Sequence, residues 1–213
     1  MNEDIYKELK FFFGHDVTYT LLEAVDLNSF KGYIQEACPD ISLPDKANGF
    51  HYQSTIILYT KDWFEKNKTT LAKDTYESVF SHELVHVFLG KKLVYNAVPW
   101  WLEESLVESI VHRNNSLYWC LPIGGYIMKD ISVAEIEKVS QPVFMYQYGS
   151  RFLHYCFKKY GKNKFLDFIN YFYLFENGSI MDAFENTFSA SIEVLFQEWI
   201  SETKKKHAQA NTL

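Results

Sequence analysis

The run His82-Glu83-Leu84-Val85-His86 sets two imidazoles four residues apart with a carboxylate beside the first. On a helix, residues four apart share one face about one turn from each other, close enough to bind a single ion. Two neutral imidazoles suit zinc, and Glu83 falls on the side where a water in the ion's open position would lie. That is the arrangement of a zinc hydrolase. A catalytic zinc also needs a third protein ligand, and two histidines with one glutamate are a known set. Glu104, eighteen residues after His86 in Trp100-Trp101-Leu102-Glu103-Glu104-Ser105-Leu106-Val107-Glu108, is the candidate. Glu103 competes with it, because spacing alone does not place a helix face to within one residue. Glu108 favours Glu104: the two lie four apart on one face, so Glu108 can accept the second ring N–H of a ligating histidine, and Glu103 has no such partner.

The elements that must hold these groups can be read around them. Between Thr70 and Leu89, Tyr76, Val79, Phe80, Leu84, Val87 and Phe88 recur at helical spacing. Thr69 or Thr70 offers a cap and Gly90 a stop, so this stretch is expected to be a helix. A second helix is expected from Pro99 to about His112, since proline suits a first helical position and Asn114-Asn115 ends it. A turn between Gly90 and Pro99 would let the two helices pack antiparallel and bring Glu104 to the ion. Upstream, Val17 to Val25 and Thr55 to Thr60 are rich in β-branched and aromatic residues, with Gly, Pro and Asp signals around Pro39 to Gly49, and read as strands of a small sheet. Ser116 to Met128 reads as an extended pair or a crossing loop. Beyond Ser132 the chain is expected to be mostly helical, with capping spacing at Ser132/Glu135 and Ser179/Asp182 and breaks at Gly161 and Asn177-Gly178. No repeat or flexible linker stands out.

Composition bounds the functions open to the chain. Its 213 residues, 47% hydrophobic and 23% charged, are enough for one ordinary domain with a real core, which excludes a disordered chain. The organisation expected is one domain over 1–213: a mixed strand region at 1–69, the metal-site helices at 70–112, a mainly helical part at 113–205 and a tail at 206–213. The aromatic share is 18%, so most rings belong to the core. A net charge of −6 argues against a nucleic acid partner, and Lys204, Lys205 and Lys206 read as a solvated helix end. The acidic start of Met1 to Lys10 lacks the form of a secretory signal, and no stretch is apolar enough to span a membrane. Cys38, Cys120 and Cys156 are an odd number at wide spacing, as expected of free thiols in a cytoplasmic protein.

His82-Glu83-x-x-His86 followed by Trp101-Leu102-x-Glu104 resembles the gluzincin metallopeptidases, the group of thermolysin and aminopeptidase N, and more closely their small peptidase MA-like relatives. In those the second motif usually ends in Gly, where this chain has Ser105. Tyr146-Gln147-Tyr148-Gly149-Ser150-Arg151-Phe152 with Tyr160-Gly161, and Asp182-Ala183-Phe184 with Trp199, are similar to their downstream helices. The resemblance covers about Tyr76 to Ile200 and implies an α+β fold of zincin type. Position by position, it implies His82, His86 and Glu104 as zinc ligands, Glu83 as general base and Glu108 as supporting carboxylate. It further implies a downstream Tyr as oxyanion stabiliser, with the register favouring Tyr146 over Tyr148.

The reaction expected is zinc-dependent peptide hydrolysis: Glu83 takes a proton from the zinc-bound water as it attacks the scissile carbonyl, then passes it to the leaving amine. No Gly-x-Met-Glu-Asn strand precedes His82, which disfavours an aminopeptidase and leaves an endopeptidase. The partner is then a peptide or protein substrate, with the strand His51 to Thr60 as its pairing edge and Ile56, Ile57 and Leu58 as a hydrophobic groove. The other readings are a zinc-binding or inactive module of the same fold and a zinc hydrolase of non-peptide amides. His112 is read as joining the Glu108 network or solvating its helix end, while His15, His51, His154 and His207 lack a partner pattern and are read as ordinary surface or core histidines.

Overall fold

The computed structural model describes residues 2–41, 47–67, 75–90, 100–114, 148–174 and 179–210. It divides into two compact units, Met1–Lys91 and Lys92–Leu213. The first carries a three-stranded sheet, and the described residues of the second are helical, an α+β composition overall. Among the described residues no helix is long and apolar enough to cross a membrane.

The first unit opens on helix α1, Asn2–Phe13, with Glu3 and Asp4 in its first turn and Lys10 in its last, as the helix dipole favours. Strand β1, Thr20–Ala24, follows, then helix α2, Leu27–Ala37. Asp26 caps α2 through a reciprocal pair of bonds with Ser29, and the Ser29 backbone N–H holds the Asp26 carboxyl below the usual carboxylate range. Strands β2, Gly49–Tyr52, and β3, Thr55–Tyr59, form a hairpin whose turn carries Gln53 at φ 53°. The sheet order is β1-β3-β2, with β1 parallel and β2 antiparallel to β3. Thus the stretch read as one strand from His51 to Thr60 is two strands, and β3 is central. Ile56, Ile57 and Leu58 are fully buried, because α2 and the metal-motif helix both pack on β3. They are core and line no groove, a correction to the expectation; the edge strands among the described residues are β1 and β2.

Helix α3, Lys61–Lys66, is capped by Thr60 and lays Trp63 flat on Tyr59 at 3.8 Å. Helix α4, Tyr76–Gly90, is the expected metal helix, but its cap is Thr75 rather than Thr69 or Thr70. Thr75 and Ser78 bond each other's backbone N–H groups at 2.9 and 3.1 Å, the reciprocal arrangement that fixes a helix start. Leu84, Val85, Val87, Phe88 and Leu89 are buried around the whole circumference of α4, so it is a core helix and not an amphipathic one. It packs on β2 and β3, and on α1, where Phe13 stacks on Phe88 at 5.1 Å. Helices α1 to α3 fill more of residues 1–69 than the strands do.

The second unit comprises α5, Trp100–Val111, α6, Ser150–Leu174, α7, Ile180–Phe188, and α8, Ile192–Ala210. The expected helix over 99–112 is therefore present from Trp100, and the expected Ser179 cap accepts from the Asp182 N–H at 3.0 Å. Gly161, at φ 81° and ψ 170°, breaks α6 in two, a conformation that only glycine adopts without strain. Phe152 packs on Phe184 and Phe196, so the core of this unit is aromatic. The readings at Ser116 to Met128, Ser132/Glu135 and Asn177-Gly178 fall outside the described residues.

Ser105, the departure from the expected glycine, is fully buried and donates to the Trp101 carbonyl at 2.5 Å. Gly149 faces it so closely that an added Cβ would collide with the Ser105 hydroxyl and lie 3.0 Å from its Cβ. The small residue needed between α5 and α6 is thus on both sides of the contact. Gly149→Ala is expected to lower stability by about 1–3 kcal/mol through overpacking. In a Ser105→Gly background the same change should cost at least about 1 kcal/mol less, a coupling readable by urea unfolding of the four proteins. Equal costs in both backgrounds would show that the two residues do not share the contact.

Candidate metal centre

Helix geometry alone brings His82 and His86 to one face of α4, and their Nε2 atoms stand 3.3 Å apart. Two nitrogens each about 2.0–2.1 Å from a tetrahedral zinc lie about 3.3 Å from one another, so the pair is spaced as two ligands of one ion. His86 is 2% exposed and His82 is half-buried. Among the described residues His51, Glu83 and His86 also group closely enough to hold a metal ion.

Glu83 is 7% exposed, a costly place for a carboxylate unless it is partnered. Its Oε2 lies 3.1 Å from His51 Nδ1. Burial pushes the Glu83 carboxyl up, but the His51 hydrogen bond and the imidazoles of His82, His86 and His51 outweigh that and hold it below the ordinary carboxylate value. It is therefore an ionised acceptor. Gly49 on β2 lies directly against it: an added Cβ would stand 2.6 Å from Glu83 Oε1 and from Val79 Cγ1.

The residue that sequence reasoning missed is His51. It was read as an ordinary histidine, yet its ring hydrogen-bonds Glu83 and stacks on His86 at 4.1 Å with 13° between the planes. No local pattern marks it, since its partners lie more than thirty residues on. The one available signal was the alternation Gly49-x-His51 in an edge strand, which sets both residues on the same face.

Glu104 stands on α5 in the second unit, where it is buried while Glu103 is only half-buried. Glu108, one turn further, has its Oε2 3.5 Å from His112 Nε2, so His112 joins that carboxylate rather than only solvating the helix end. Arg113, buried at the end of α5, donates from Nη1 to the Ile110 carbonyl at 2.7 Å. Tyr146 lies outside the described residues. Tyr148, its alternative, is 1% exposed and packs edge-on to Trp199 at 6.3 Å, in the aromatic core of its unit. Comparison of the chain with protein-family models, with curated proteins and with solved structures finds no match.

Proposed function

We propose that the chain is a zinc-dependent hydrolase, an endopeptidase of zincin type, with His82, His86 and Glu104 as metal ligands and Glu83 as general base. The observation that carries this reading is the 3.3 Å separation of the His82 and His86 Nε2 atoms with the buried Glu83 carboxylate in the same turn of α4. Zinc, when bound, supplies a Lewis acid that activates water and polarises the scissile carbonyl. Glu83, ionised and anchored, accepts the proton of the attacking water and returns it to the leaving amine. Tyr146 donates its phenol O–H to the developing oxyanion of the substrate. β2 offers an extended peptide its free backbone groups, which gives affinity without reading side chains. Glu104 fits the third-ligand role because a carboxylate buried beside Trp101, Leu102 and Ser105 is tolerated where a cation neutralises it. Glu108 supports the ligand set by accepting a histidine ring N–H.

The test is metal analysis by plasma mass spectrometry on protein purified without added metal, followed by a fluorogenic peptide library. About one zinc per chain and zinc-dependent cleavage are expected. A folded protein that holds no zinc and refuses added Zn²⁺ would overturn the reading in favour of a binding module without turnover. The ligand assignment has its own check in a chelator competition. Glu104→Ala is expected to weaken zinc binding by about 100-fold or more, since even outer partners of a metal site contribute 10–100-fold. Glu103→Ala should change it by less than about 3-fold, and the reverse order would move the ligand by one residue.

A further inference from the structure

His51 and Glu83 are 32 residues apart in the chain, and their hydrogen bond is made only because β2 packs on α4. Residues two apart on a strand share a face, and on β2 that pair is Gly49 and His51. Both meet the same carboxylate. The Glu83 Oε1 rests against Gly49, where a methyl group would approach it to 2.6 Å, and Oε2 takes the His51 bond at 3.1 Å. A carboxylate oxygen facing a ring nitrogen at this distance accepts, so the His51 Nδ1–H is the donor. The imidazole is fixed in turn by its stack on His86, 4.1 Å between centroids and 13° from parallel.

We propose that His51 is a positioning residue of this centre: its Nδ1–H and its stack on His86 seat the Glu83 carboxylate beside the two convergent histidine nitrogens, with Gly49 leaving the room for it. The role rests on the zinc-hydrolase reading. Glutamate has three torsions, and without a partner its carboxylate would spend little time in one place; a fixed donor removes that freedom before substrate arrives. His51 acts through Glu83, to which its Nδ1 is bonded.

Acetohydroxamate on cobalt(II)-loaded protein is the probe, since it chelates the metal while its acidic proton is accepted by a carboxylate beside the ion. Its dissociation constant, read from visible absorption, reports where Glu83 sits without any substrate. Five proteins are compared: wild type, His51→Phe, His51→Gln, Glu83→Gln and the double variant His51→Phe with Glu83→Gln. His51→Phe keeps a ring to stack on His86 but no donor. It should weaken acetohydroxamate about 10-fold while cobalt affinity, by chelator competition, stays within about 3-fold. His51→Gln, which offers an amide N–H, should recover part of that loss, and His51→Phe should have no further effect once Glu83 is Gln.

The outcomes separate. A wild type that binds neither cobalt nor zinc removes the zinc reading and this role with it. A cobalt-loaded wild type that takes up no acetohydroxamate, or a His51→Phe variant that binds it like the parent, overturns the His51 role alone. So does an equal loss in the Glu83→Gln background. Loss of cobalt from His51→Phe would make His51 a ligand and overturn the positioning role as well.

Discussion

Replacing Glu83 with Gln is expected to leave about one zinc ion per chain in place and to cut peptide hydrolysis about 1,000-fold or more, within the range that general acid–base groups contribute. Gln has the size of Glu, so it fits against Gly49 and can still accept from His51. What it loses is the negative charge that takes the proton. Glu83 carries that charge as it stands: burial works against it, and His51, His82 and His86 together more than restore it. The measurement pairs initial rates with metal content on the same preparations. Zinc lost together with activity would make Glu83 a ligand; an unchanged rate at full zinc occupancy would remove it from the chemistry.

The second large effect is at His86. His86→Ala is expected to leave less than about 0.1 zinc per chain after dialysis and to weaken zinc binding at least about 1,000-fold, more than loss of an outer-shell partner causes. The residue is 2% exposed and stacked on His51, so its removal also opens a cavity and costs the metal-free protein about 1–3 kcal/mol. The two consequences are separable by thermal unfolding. Zinc at 1,000 times the wild-type dissociation constant should stabilise the wild type by about 4 kcal/mol and the variant by less than about 0.5 kcal/mol. A variant that keeps its zinc, or that gains the same stabilisation from it, would show that His86 is not in the site.

What the sequence determined by itself is what neighbours along the chain decide. The four-residue spacing puts His82 and His86 on one face of α4 because a helix allows little else, and their side-chain rotamers bring the Nε2 atoms to 3.3 Å. Ser179 and Asp182 form the cap that their spacing announces, and Gly161 breaks its helix where a glycine would. Local rules were weaker where several residues qualified. Thr69, Thr70 and Thr75 are all capping types, and only the bond pair between Thr75 and Ser78 selects among them. Glu103 and Glu104 differ by one position, and burial, which depends on what packs against α5, distinguishes them.

Tertiary structure alone decided the seat of the Glu83 carboxylate. His51 and Gly49 share only the two-residue alternation of a strand, and the packing of β2 on α4 makes one the donor to Glu83 and the other the gap it occupies. In the same way β3 became core instead of an edge, because strand order is set by which hydrophobic faces find cover and not by the residues of one strand. Spacing within a helix is fixed by its backbone hydrogen bonds, whereas contacts more than thirty residues apart exist only once the sheet and the helix bury their apolar faces against each other.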